Sequence, residues 1–125
     1  MTYSFKQIDH IQLAAPVDSE ETARDFFHGV LGLPEIEKPD SLKANGGVWF
    51  ACGHHQLHIG IEKDFAPAKK AHPAFEIEQI ENLQAHLEEQ GYPVITDDRL
   101  PGAIRFYVDD PFGNRLEFLE WENGR

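Results

Sequence analysis

Apolar and polar residues alternate along residues 6 to 14, KQIDHIQLA, closely enough to predict a β-strand. The period then changes. Asp18 and Glu21 stand at capping-box spacing, and a helix over about residues 19 to 28 would bury Ala23, Phe26, Phe27 and Val30 before Gly29 and Gly32 end it. Three more strands are expected at 34 to 38, 47 to 52 and 56 to 62, so the first half reads β-α-β-β-β. The second half repeats that order. A strand over 72 to 78 precedes a helix with Ile80, Leu83 and Leu87 on one stripe and Gly91 as its stop. Strands near 93 to 96, 103 to 109 and 114 to 121 follow, the last two joined by the turn-rich DDPFG.

Two halves with one order of elements suggest an internal repeat. Gly32-Leu33-Pro34 after the first helix recurs as Gly91-Tyr92-Pro93 after the second, an offset of 59 that also carries His58 onto Glu117. The first strands correspond at an offset of 62, which carries His10 onto His72. The expected architecture is α+β: one domain over 1–125, built of βαβββ modules at about 5–63 and 71–121, with a cupped mixed sheet and helices on its outer face.

Strand alternation decides which side chains face away from those helices. In QLHIGIE, residues 56 to 62, Leu57, Ile59 and Ile61 share the apolar face, leaving Gln56, His58, Gly60 and Glu62 on the other. The same partition opposes His72, Ala74 and Glu76 to Phe75 and Ile77, and Arg115 and Glu117 to Leu116 and Phe118. His10 lies with Ile8 and Gln12, against Ile11 and Leu13. A sheet curled with this face concave would gather imidazoles and a carboxylate, donors suited to Zn, Ni, Co, Mn or Fe(II). Ligands from four separate strands leave no short-range signature, and no HExxH or CxxC is present. Bland readings compete: His54 and His55 as turn residues, His28 and His86 on helices, Trp49 and Phe50 as core or interface, and Lys69-Lys70 as a linker pair.

Composition narrows the function. A net charge of -11 over 125 residues disfavours nucleic acid and anionic lipid as partners. A single cysteine, Cys52, excludes an internal disulfide. With neither a signal-peptide core nor a membrane-length apolar run, a cytoplasmic protein with no membrane partner is expected.

The stretches DHIQLA (9 to 14), FFHGVLGLP (26 to 34), QLHIGIE (56 to 62), AHPAFEI (71 to 77) and DPFGNRLEF (110 to 118) resemble the vicinal-oxygen-chelate superfamily. That superfamily includes glyoxalases, fosfomycin and bleomycin resistance proteins and extradiol dioxygenases. The resemblance implies paired βαβββ modules, a divalent metal and a homodimer. By motif it assigns His10, His72 and Glu117 as metal ligands, with His58 at the fourth position, where glyoxalase I typically carries a glutamate. It implies Glu117 as the catalytic proton carrier. Arg105 and Tyr107, which share a strand face, and Glu62 are candidate substrate contacts; the bland readings are a salt bridge for Arg105, packing for Tyr107 and a solvated position for Glu62. Ala14 and Glu62 stand where glutathione-dependent members carry an arginine and an asparagine, so a glutathione adduct is not the expected substrate. The leading expectation is a metal-dependent lyase or isomerase acting on a small oxygenated molecule. The alternatives are an extradiol-type dioxygenase and a metal-free protein that sequesters a small molecule or antibiotic.

Overall fold

The computed structural model describes residues 2 to 123. The chain divides into two compact units, Met1–Phe65 and Ala66–Arg125. The first contains β1 (His10–Ala15), α1 (Glu20–Ala23) running into a π-helix (Arg24–Val30), β2 (Glu35–Ile36), a 3-10 helix (Asp40–Asn45), β3 (Val48–Cys52) and β4 (His55–Ile61). The second contains β5 (Ala74–Glu76), α2 (Ile80–Glu89), β6 (Ile95–Asp97), β7 (Ala103–Asp109) and β8 (Arg115–Trp121). The expected mixed sheet is thus divided into two four-stranded ladders, ordered β1-β4-β3-β2 and β5-β8-β7-β6.

Register confirms the repeat at residue level. In each unit the first strand runs parallel to the last, and the pair Gln12–His58 in one ladder corresponds to Ala74–Glu117 in the other, matching the offsets of 62 and 59. The hairpins correspond as well: Trp49 faces His58 across β3 and β4, and Tyr107 faces Glu117 across β7 and β8.

Each ladder turns one face to its helix. In the first unit Phe26, Phe27, Phe50, Leu57 and Ile59 are at most 1% exposed, and the Phe27 and Phe50 rings lie 5.7 Å apart. The second buries Ile80, Leu87, Phe106, Val108, Leu116 and Phe118 in the same way. Removing each such side chain from water contributes about 1.5–3 kcal/mol. Val30, expected in the core, is only half-buried because the helix ends in π geometry, with Leu31 N–H donating to the Phe26 carbonyl at 2.9 Å.

The capping box does not form. Ser19 is the N-cap and makes no side-chain cap bond, Asp18 adopts a left-handed φ of 63°, and the Glu21 carboxylate accepts from Arg24 at 2.6 Å instead. At α2 the cap comes from another element: Glu120 on β8 accepts from the Gln79 and Ile80 N–H groups at 3.1 Å. β1 begins at His10, later than expected, because its ladder with β4 begins there. Likewise His72 precedes β5: Pro73, which has no N–H to donate, stands between them, and its carbonyl accepts from Glu117 N–H at 3.1 Å. No helix among the described residues is long and apolar enough to cross a membrane.

Candidate functional site

The DPFGN turn fixes the strand that carries Glu117. Asp110 is buried, and its Oδ1 accepts from the Phe112 and Asn114 N–H groups while Oδ2 accepts from Asn114 Nδ2, all at 2.9 Å. Burial raises the Asp110 carboxyl above its ordinary value against the opposing pull of the Asn114 and Phe112 bonds. Asn114 Oδ1 in turn accepts from Ala68 N–H at 3.0 Å, and Arg115 N–H donates to the Ala68 carbonyl at 2.9 Å. The motif is therefore a clamp. It ties the segment leading to His72 against the start of β8, two residues before Glu117.

His72 and Glu117 meet as a result, with Nε2 and Oε1 2.9 Å apart and both side chains largely buried. The second ring nitrogen, Nδ1, lies 2.9 Å from the Lys70 carbonyl, which can only accept, so Nδ1 carries a proton. A neutral ring then presents an Nε2 lone pair to a carboxylate lone pair, which is repulsive. The contact therefore needs a proton, on either Nε2 or Oε1, or a metal ion between the two lone pairs. The separation suits a metal, since two donors at roughly 2.1 Å from an ion and at a right angle lie about 3.0 Å apart. A donor set of imidazole nitrogen and carboxylate oxygen, with the far imidazole nitrogen held by a carbonyl, fits a divalent cation at two adjacent positions.

Glu117 Oε2 accepts from Arg105 at 3.2 Å, and Arg105 also lies 3.5 Å from Asp97, which Arg99 chelates. Arg99, through its side-chain and then its backbone donors, holds the Asp97 carboxyl far below the usual carboxylate range, with Arg105 adding a smaller pull. Arg105 is thereby shared between two carboxylates, though its buried Nε has no hydrogen-bond partner among the described residues. Tyr107 meets the His72 ring edge-on at 5.7 Å, with the guanidinium of Arg105 at 5.6 Å from its centroid and that of Arg115 at 5.4 Å. Among the described residues no carboxylate lies within ion-pair reach of Arg115, so its charge is the less committed of the two. Sequence reasoning passed over Arg115, although it shares a strand face with Glu117.

The first unit places His10 and His58 together in another manner. Their rings stack at 4.3 Å with 22° between planes, and the Trp49 indole lies on the other side of His58 at 3.8 Å and 1°. His58 is 4% exposed, and its Nε2 lies 2.8 Å from Gln56 Oε1. Burial first, then the neighbouring His10, lowers the His58 pKa below the ordinary value of 6.5, Asp9 opposing and Lys38 adding a little. His10 Nδ1 lies 2.9 Å from Asp9 Oδ1. From sequence, Trp49 is expected in the core or at an interface. The two-residue turn implied by Gly53-His54 is the signal that sets it opposite His58. Glu62 lies just past β4 and is exposed, its N–H donating to the Ala15 carbonyl at 2.9 Å. His54 and His55 are exposed around that turn. Among the described residues, no three His, Cys, Asp or Glu side chains are gathered closely enough to hold a metal ion.

The family model for the Glyoxalase/Bleomycin resistance protein/Dioxygenase superfamily matches residues 7–118. Among solved structures, a Bacillus anthracis protein placed provisionally in the glyoxalase family is 51% identical, with 97% of this chain and 99% of that one covered at a TM-score of 0.95. A glyoxalase family protein from Enterococcus faecalis is 29% identical over 93% of this chain and 98% of that one, with a TM-score of 0.69. A lactoylglutathione lyase from Agrobacterium tumefaciens, 21% identical over 90% of this chain and 93% of its own, shares the fold at a TM-score of 0.69. No curated protein matches the chain. With a family match over residues 7–118 and a relative alike along nearly the whole chain, this protein belongs to the glyoxalase/bleomycin resistance/dioxygenase superfamily.

Proposed function

We propose that the chain is a metal-assisted lyase or isomerase of the glyoxalase class, one that moves a proton beside a carbonyl of a small oxygenated anion. The His72 ring supports this reading: an oxygen lies at each nitrogen, so the Nε2–Glu117 edge needs a proton or a metal ion between its lone pairs, and a metal is the occupant proposed here. Family resemblance adds His10 as a further ligand, and its Nδ1 is likewise held by an oxygen, leaving Nε2 for a metal. A divalent ion bound there would supply Lewis-acid polarisation of the substrate carbonyl. Glu117 is the proton carrier, oriented by Arg105, which donates to its Oε2 at 3.2 Å. Arg115, held against the Tyr107 ring, receives the substrate's carboxylate or enolate oxygen. Glu62 disfavours a glutathione adduct by its charge.

Deuterium wash-in tests the reading. Metal-loaded protein in D2O, given a panel of α-ketoaldehydes and α-hydroxycarbonyl acids, should place deuterium beside the carbonyl of at least one of them, followed by NMR. Glu117→Gln should slow that exchange by about 10²-fold or more. Arg115→Gln should act mainly through KM. A metal-bound protein that exchanges no panel member contradicts the reading.

One observation favours a second reading. A doubly protonated His72 would complete an unbroken series of ion pairs, His72–Glu117–Arg105–Asp97, with no metal at all. Such a protein would sequester an anionic ligand without chemistry, and metal titration separates the two. We also propose a homodimer, in which Tyr3, Phe5 and Ile8, 66%, 93% and 64% exposed, are covered by the second copy. Light scattering that finds only monomers, at any protein concentration, would contradict it.

A further inference from the structure

We infer that His58 is a stacking spacer that aims His10, and not a metal ligand; this rests on the metal reading above. Three observations support it. An imidazole donates to a metal along a lone pair lying in the ring plane, so two imidazoles share an ion only where their planes cross at bonding distance. The His10 and His58 planes are inclined by only 22° at a centroid separation of 4.3 Å, and planes so nearly parallel do not cross within reach of either ring.

The nitrogens separate the histidines in the same way. In His10 and His72 the oxygen partner lies at Nδ1, Asp9 in one case and the Lys70 carbonyl in the other, which leaves Nε2 as the outward donor. In His58 the oxygen partner, Gln56 Oε1, lies at Nε2 instead, so the nitrogen that would be the donor in the other two is already used. The strand ladder accounts for the third observation. Trp49 is the cross-strand partner of His58, and its indole lies parallel to the imidazole at 3.8 Å, closing the face opposite His10. His58 is therefore held on both faces and at one edge, whereas the His10 side chain is 46% exposed and rests on it. Flat aromatic area is what the position requires, and a phenyl ring can supply it.

Replacing His58 by Phe and by Ala tests this. The readouts are cobalt affinity, by competition with a chromogenic chelator, and the ring-proton NMR shifts of His10 in the metal-free protein. The spacer predicts that His58→Phe keeps the cobalt Kd within about threefold and preserves the His10 ring-current shifts. It predicts that His58→Ala loses those shifts and weakens binding by about tenfold or more, as loss of an outer support does. Equal and large losses of affinity in both variants would make His58 a ligand and overturn the inference while leaving the metal reading intact. Unchanged shifts and affinity in both would overturn it too. Wild-type protein that takes up no cobalt removes the metal reading and this inference with it, and that outcome is visible before any variant is made. Should neither His58 variant fold, Trp49→Phe and Trp49→Leu probe the same stack from its other side. Phe should retain both signals and Leu should lose both; retention in Leu overturns the inference.

Discussion

Where β3 meets β4 the first unit sets Trp49 opposite His58, and where β7 meets β8 the second sets Tyr107 opposite Glu117. The backbone positions are equivalent, but the interactions are not. In the first unit three rings stack, with the buried His58 between Trp49 and the exposed His10. In the second, two guanidiniums flank one ring, and one of them joins two carboxylates, the nearer of which meets an imidazole. A repeated fold thus fixes where side chains meet and leaves open what they do there. Stacking keeps an exposed histidine aimed, and the ionic series holds a carboxylate in place beside a histidine.

The largest effect in breaking that contrast is expected at the clamp of the second unit. Asn114 is 1% exposed and bonds both Asp110 and Ala68, so Asn114→Ala should lower stability by about 1–3 kcal/mol in urea unfolding, the buried Asp110 Oδ2 losing its donor. A loss below about 0.5 kcal/mol would mean the clamp does not hold β8. In the first unit, Trp49→Leu should lower stability by about 0.5–1.5 kcal/mol more than Trp49→Phe, measured the same way, since phenyl preserves the stack. Equal losses would show that Trp49 contributes area alone.

The smallest effect is one of pH. Arg99 depresses the Asp97 carboxyl from its ordinary value of 3.8, so folding favours the charged form. A depressed carboxylate stabilises the fold above its unfolded value, and that contribution disappears as pH falls through the folded value. Asp97→Asn should therefore lower Tm modestly at pH 7, with the gap narrowing once pH drops below about 4. A gap independent of pH would assign the loss to packing.

Much of this frame was legible before any coordinates. The strand at 103 to 109 is found at those bounds, with Arg105 and Tyr107 alternating against buried Phe106 and Val108, and the offsets of 59 and 62 reappear in the ladders. Local signals failed where another element took over. The Asp18–Glu21 spacing implied a cap, but Arg24 holds Glu21, and Glu120 caps α2 from a distant strand that no local motif announces. The site was partly legible for the same reason. Alternation put Arg115 on the face of Glu117, yet a charge without a partner is visible only once Arg99 and Arg105 are seen committed to Asp97 and Glu117. The Trp49–His58 contact depends on hairpin register, which a two-residue turn sets but composition does not.

Titration of chelator-treated protein with cobalt, in wild type and in Glu117→Ala and His72→Ala, tests the central claim most directly. The account predicts about one ion per chain in wild type, and affinity at least tenfold weaker in both variants. Wild-type protein that binds no ion, or variants that bind it as tightly as wild type, would contradict a cation on the His72–Glu117 edge.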